Sequence, residues 1–158
     1  MILYILRHAE AEAKAASDWQ RKLTPLGRKQ ALSVGRFCEE QQLRPALVLT
    51  SPVDRARETA ELFISQLKDI SLLQQPWIAC GMAPELALKE LQAYSSFDSV
   101  LLVGHEPDLS GLIATLLGIP RSESLDIKKA SLTAITLKKI APASGRLDFM
   151  VPCELLNL

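Results

Sequence analysis

Ile2-Leu3-Tyr4-Ile5-Leu6, followed at once by Arg7-His8, sets an unbroken apolar run directly against a cation and an imidazole. The same arrangement returns twice: Ala46 to Leu49 precedes Thr50-Ser51, and Val100 to Val103 precedes Gly104-His105. Continuous apolar runs of this length, without polar alternation, fit strands covered on both faces, as in a parallel sheet with helices on either side. Between the runs the spacing predicts helices. Thr24-Pro25 supplies a cap and a first-turn proline, and Ala31, Val34 and Cys38 recur at helical spacing in a segment reaching about Gln42. Gly35, a poor helix former, is expected to allow close contact with the sheet.

A second helix is expected from about Asp54 to Leu67, with Ala56, Ala60, Phe63 and Leu67 on one stripe. Leu109, Leu112, Ile113, Leu116 and Leu117 form another, stopped by Gly118 and then Pro120. Strands alternating with helices define an α/β fold, here a three-layer α/β/α sandwich with a central, mostly parallel sheet. The stretch from Lys68 to Asp98 is less regular: a strand is expected around Trp77, within Leu72 to Ile78, and a short helix from Pro84 through Leu91. Threonine-rich apolar residues from Ser131 to Ile140, a turn at Ala143-Ser144-Gly145, and the alternation of Leu147, Phe149 and Val151 predict a C-terminal antiparallel pair.

At 158 residues the chain has material for one hydrophobic core, so a single domain over residues 1–158 is expected. Eighteen Lys and Arg balance eighteen Asp and Glu, which excludes the broad basic field of a nucleic-acid binder but not a local basic pocket. The N-terminal run is too short for a signal-peptide core, and no apolar stretch approaches the length of a membrane span. Cys38, Cys80 and Cys153 are odd in number, far apart and without metal-ligand spacing. They read as reduced, buried thiols of a cytoplasmic protein, and a monomer is the expectation.

Chemistry concentrates at the strand ends. The only two histidines, His8 and His105, each follow a predicted strand; Arg7 precedes His8, and Arg55 follows the end of the middle strand. In α/β sheets ligands sit beyond the carboxyl ends of the strands, so two imidazoles and two guanidiniums there suit an anion. From pattern alone, a structural role for each histidine, with its ring satisfied by backbone, stands beside that reading. Zinc usually takes three or four protein ligands, which the scattered cysteines do not supply, and no Gly-rich phosphate loop is present. Neither metal nor cofactor is expected. Gly104-His105-Glu106-Pro107 reads as a sharp strand-to-helix junction whose free helix N–H groups could also face an anion.

Four segments make the reading specific: Arg7-His8-Ala9-Glu10-Ala11-Glu12; Leu23-Thr24-Pro25-Leu26-Gly27 with Gln30-Ala31; Ser51-Pro52-Val53-Asp54-Arg55-Ala56-Arg57-Glu58-Thr59-Ala60; and Val103-Gly104-His105-Glu106-Pro107-Asp108-Leu109. In order and in kind they resemble the histidine phosphatase, or phosphoglycerate mutase-like, superfamily, and within it the short bacterial phosphohistidine phosphatases. The resemblance implies His8 as the nucleophile that carries the phosphoryl group, with Arg7, Arg55 and His105 holding the phosphate. Arg21 matches an arginine of the short relatives and, with Glu106, is expected to bind phosphate or substrate. The family usually has glycine after its nucleophile; Ala9 stands there instead, and its Cβ disfavours a left-handed backbone.

Larger members carry extra helical material and an acid glutamate before the second histidine, and nothing between Arg55 and His105 matches that glutamate here. A shortened lid implies an open site that admits a phosphorylated side chain of a protein. An imidazole leaves after ordinary protonation, whereas an alkoxide wants an acid. The expected activity is therefore hydrolysis of protein phosphohistidine, with a histidine-containing phosphotransfer domain as one form of such a partner. Asp18, in the polar segment from Ala13 to Lys22 expected to cover the site, is the candidate acid for ester chemistry, and Trp19 beside it is a loop anchor or a substrate surface. A general phosphomonoesterase and a noncatalytic phosphate-binding module remain the alternatives.

Overall fold

In the computed structural model, which describes residues 1–156, six strands form one sheet: β1 (Ile2–Arg7), β2 (Leu47–Thr50), β3 (Ser71–Gln74), β4 (Ser99–Gly104), β5 (Leu132–Leu137) and β6 (Gly145–Val151). The last two positions of the expected domain lie outside the described residues. The order is β3-β2-β4-β1-β5-β6. The first four strands in that order run parallel, while β5 is antiparallel to β1 and β6 is antiparallel to β5. Four helices complete the layers: α1 (Pro25–Glu40), α2 (Asp54–Ile64), α3 (Pro84–Leu91) and α4 (Asp108–Leu117).

Strand geometry sends alternate residues to opposite faces, and both faces are covered. Tyr4, Leu6, Val48, Leu101 and Val103 pack in one buried cluster with Ala31, Val34, Ala56 and Phe63 of α1 and α2. Leu3, Ile5, Leu49, Val100 and Leu102 share the other cluster with Leu88, Leu91, Leu109 and Ile113 of α3 and α4. Each such Leu, Ile or Val contributes roughly 1.5–3 kcal/mol by leaving water, so β1, β2 and β4 sit firmly at the centre of the sandwich. The result is a three-layer α/β/α sandwich with a mixed, mostly parallel sheet and an antiparallel C-terminal pairing.

Local sequence accounts for the boundaries. Thr24 caps α1 by accepting the Gly27 N–H at 3.0 Å, and Pro25 opens the first turn. Gly27 is required by proximity, because a Cβ there would lie 1.9 Å from the Glu10 carbonyl oxygen. That contact locks the start of α1 against the segment leaving β1. Gly118 closes α4 in the left-handed conformation at φ 70°.

Several expectations are corrected. Gly35 makes a close approach to α2 rather than to the sheet: a Cβ would lie 2.6 Å from the Phe63 carbonyl. The strand expected around Trp77 ends at Gln74, and Trp77 falls in a short 3-10 turn (Pro76–Ile78) because Pro76 has no N–H for a ladder. α1 stops at Glu40, and Gln42 has turned to φ 56°. α2 stops at Ile64, although Leu67 still reaches the core from the following turn. Cys38 and Cys153 are buried as expected, whereas Cys80 is exposed, since it lies in the loop before α3.

Candidate active site

β1 and β4 are neighbours, with Arg7 opposite Gly104, so the next residue of each strand reaches the same carboxyl rim. The His8 N–H donates to the Gly104 carbonyl at 3.0 Å and the Ser51 N–H to the Val103 carbonyl at 3.0 Å, extending the ladder one step past the strands. His8 and His105 thereby come face to face, their ring centroids 5.3 Å apart and their planes inclined by 53°. Arg55, in the first turn of α2, enters from the β2 side and donates through Nε to His8 Nε2 at 3.3 Å.

The tautomer of His8 follows from its partners. Its Nδ1 lies 2.8 Å from the Ala9 carbonyl oxygen, which can only accept, so the ring proton sits on Nδ1. Nε2 then keeps its lone pair, in keeping with the Arg55 N–H directed at it. Burial, partly offset by the Ala9 carbonyl and reinforced by His105, Arg55 and Arg7, pushes the imidazole down to about 3. At neutral pH His8 is therefore an uncharged base with an available nitrogen.

His105 is held differently. Its Nε2 lies 2.8 Å from Ser51 Oγ, and that hydroxyl accepts the Val53 N–H at 3.2 Å. The hydroxyl still has a proton to give and a second lone pair to accept with, so this contact fits either tautomer of His105, whose Nδ1 is buried without a hydrogen-bond partner among the described residues. Burial and the adjacent Arg55 cation push this imidazole down to about 4. Arg7 places Nη1 2.7 Å from the Ile127 carbonyl and leaves its Nε buried and unpartnered. Burial lowers its pKa, while Glu106 and Asp126 oppose the shift.

Asp18 reaches the same cluster from the covering segment. Its backbone carbonyl accepts Arg55 Nη1 at 2.9 Å, and its Oδ2 accepts Arg55 Nη2 at 3.2 Å. Oδ1 also lies 3.3 Å from Arg21 Nε, an ion-pair contact without hydrogen-bond alignment. The Cys80 Sγ stands 3.5 Å from Arg55 Nη2. His8, His105 and Arg55 are only 5, 2 and 5% exposed, so the open site expected from the short lid is not found at these groups; the turn Asp18–Gln20 and the Cys80 loop come onto Arg55. Trp19, in that turn, is 53% exposed and anchors nothing in the core.

Glu106 sits at the end of the cluster, half-buried, with Oε1 accepting the Ser110 N–H at 2.9 Å. Burial raises its pKa. Of the N–H groups at the start of α4, those of Leu109 and Gly111 donate to the His105 and Pro107 carbonyls, alongside Ser110 on Glu106. Ala9 adopts no positive φ; it is fully buried and donates its N–H to Thr59 Oγ1 at 3.0 Å. Thr59 in turn donates to the Arg55 carbonyl at 2.7 Å, tying the His8 segment to α2.

Ser51 and Thr59 lie within the matched segments, but a hydroxyl in a motif does not disclose which ring or peptide it orients. Cys80 and the Ile127 carbonyl carried no sequence signal at all. No group of three or more His, Cys, Asp or Glu able to hold a metal ion occurs among the described residues. Nor is any helix among them long and apolar enough to cross a membrane.

A mostly parallel sheet, with paired imidazoles and guanidiniums beyond the ends of adjacent strands, defines a class of α/β protein with a cationic cluster at the sheet rim, where such sheets place their ligands. The family is more particular. Residues 3–77 match the Histidine phosphatase superfamily (branch 1). The Phosphohistidine phosphatase SixA homolog of Haemophilus influenzae is 32% identical over 129 residues, covering 75% of this chain and 78% of its own. The solved structure of the protein histidine phosphatase SixA complexed with tungstate superposes with a TM-score of 0.85 at 25% identity, over 97% of each chain. The alpha-ribazole phosphatase of Shigella flexneri shares the fold, with a TM-score of 0.80 at 20% identity over 97% of each chain. This chain belongs to the histidine phosphatase superfamily, and is a hydrolase of the phosphatase kind.

Proposed function

We propose that the chain removes phosphate from phosphohistidine on a protein, through a phosphoryl intermediate on His8 Nε2. The observation that carries the reading is the state of His8: Nδ1–H is committed to the Ala9 carbonyl, burial keeps the ring neutral, and Nε2 faces Arg55. A nitrogen with a free lone pair beside a guanidinium is what in-line attack on a phosphoryl group needs. The relatives named for phosphohistidine cover most of this chain and support the same substrate class.

In the first step the His8 Nε2 lone pair forms a bond to phosphorus while the bond from phosphorus to the substrate imidazole breaks. The departing imidazole takes a proton, and Arg55 exchanges its contact with Nε2 for a phosphoryl oxygen. Arg7, Arg55 and His105, in the tautomer that puts its proton on the unpartnered Nδ1, supply donors for charge on the equatorial oxygens. In the second step water attacks phosphorus, the P–Nε2 bond breaks, and phosphate leaves with His8 restored. Arg21 extends the cationic rim, and Glu106 fixes the start of α4 behind Arg7. In this reading residues 1–158 act as one domain, a cytoplasmic monomer whose partner is a phosphorylated protein such as a histidine-containing phosphotransfer domain.

A small phosphate ester would need its alkoxide protonated, and Asp18 is the carboxyl nearest the cluster. The decisive comparison is kcat/KM on a phosphohistidine protein against a small phosphomonoester, with acid-quench trapping of phosphoenzyme in wild type and His8→Ala. Faster turnover of the phosphohistidine protein, with a phosphoenzyme that vanishes in His8→Ala, is expected. Equal or better turnover of the monoester would replace this substrate assignment with a general phosphomonoesterase.

A further inference from the structure

Asp18 carries one negative charge into the cluster that the proposed phosphate would have to occupy. Its Oδ2 takes Arg55 Nη2 at 3.2 Å and its Oδ1 stands 3.3 Å from Arg21 Nε, so a single carboxylate spans two of the expected phosphate-binding cations. We infer that Asp18 is an internal competitor for phosphate: its carboxylate holds the Arg55 and Arg21 edges, is displaced by the incoming phosphoryl group, and returns to expel the product. The inference rests on the phosphatase reading and adds a residue that sets phosphate affinity and release.

Two features make displacement feasible. The Asp18 side chain is 61% exposed, and it borders a surface hollow of about 340 Å³ lined with Ala13, Lys14, Ala15, Ser17 and Arg21. A carboxylate leaving Arg55 therefore has room, water and a second cation beside it. The Arg55 guanidinium does not depend on that carboxylate for its place, since Nη1 also donates to the Asp18 backbone carbonyl and Nε to His8. Substituting the side chain removes the competing charge and keeps the backbone contact.

The alternative to displacement is worse. A phosphate dianion bound on Arg55 with the carboxylate still in place would set like charges side by side in a half-covered site, where they repel more strongly than in bulk water. By either route Asp18 lowers the affinity for phosphate. The contact is a partly exposed ion pair, so removing it should tighten phosphate by roughly two- to fivefold.

The experiment is calorimetric titration of inorganic phosphate and of vanadate into wild type, Asp18→Asn and Asp18→Ala, at low and moderate salt, with kcat and KM for a phosphohistidine protein measured in parallel. Expected are a phosphate Kd lowered about two- to fivefold in both variants, an effect that shrinks with added salt, and a KM that falls while kcat does not rise. An unchanged or raised Kd in the variants would overturn the competitor role, the latter making Asp18 a support for the arginines. A loss of kcat on a small phosphomonoester with Kd unchanged would also overturn it and make Asp18 the acid. Failure of wild type to bind either anion would overturn both this role and the phosphatase reading, whereas binding without tightening overturns this role alone.

Discussion

Acidification should destabilise this protein through the two buried imidazoles of the candidate site. Burial holds His8 near 3 and His105 near 4, both below the ordinary imidazole value of about 6.5. A depressed folded-state pKa means that the unfolded chain binds protons the fold refuses, so stability is whole above about pH 6.5 and drains away as pH falls towards the folded values. At about pH 5 each imidazole that is neutral in the fold and mostly protonated when unfolded removes about 2 kcal/mol. Both together remove about 4 kcal/mol, a large share of the roughly 5–15 kcal/mol that stabilises a domain. Because neither ring is protonated in the fold at that pH, the size is set almost wholly by the unfolded chain. Urea unfolding at about pH 7.5 and at about pH 5, in wild type, His8→Gln and His105→Gln, isolates the effect from the background of carboxylates. Each variant should lose about 2 kcal/mol less than wild type across that interval. The same pH dependence in wild type and in both variants, or an imidazole NMR titration centred near pH 6.5 in the folded protein, would refute the reasoning.

Thr59→Val removes both the acceptor of the Ala9 N–H and the donor to the Arg55 carbonyl; it should lower stability by roughly 1–3 kcal/mol, read by urea unfolding, and lower kcat through a loosened His8 segment. Gly35→Ala sets a Cβ against the Phe63 carbonyl at 2.6 Å, so a helix-favouring substitution should instead destabilise by roughly 1–2 kcal/mol and leave kcat/KM intact, measured by thermal melts and steady-state assays. Hydrolysis should survive exhaustive chelation, since the proposed electrostatic stabilisation comes from Arg7, Arg55 and His105; activity lost to chelator and restored only by a divalent ion would count against that assignment.

What could be read from the chain follows the depth of burial. β1, β2 and β4 were legible because a strand covered on both faces must be apolar throughout and becomes polar where it leaves the core, as at Arg7-His8, Thr50-Ser51 and Gly104-His105. β3 is not legible in the same way because an edge strand has no such constraint; Ser71 to Gln74 are mostly exposed, and the apolar Trp77 and Ile78 lie beyond the strand's end. At Gly35 the sequence marks a point of close approach but not its neighbour, since helix pattern specifies a face without naming what lies on it. The convergence of His8, Arg55 and His105 was foreseeable from strand ends. The bond from Asp18 to Arg55 was not, because it joins a short exposed turn to a buried helix start and leaves no periodic trace.

The register of β1 against β4 makes the two histidines neighbours, but their backbones make them different. His8 is followed by a peptide whose carbonyl turns back onto its own Nδ1, so its second nitrogen is left as a base. His105 instead meets the Ser51 hydroxyl at Nε2, and its Nδ1 is buried with no partner among the described residues. In the proposed reaction the first ring attacks phosphorus and the second supports the oxygens. Ala9 is locked by Thr59 on α2 and Ser51 by the ladder to Val103, and both locks belong to the core that stabilises the sheet. The packing that orders the sandwich therefore also sets what each of the two rings faces.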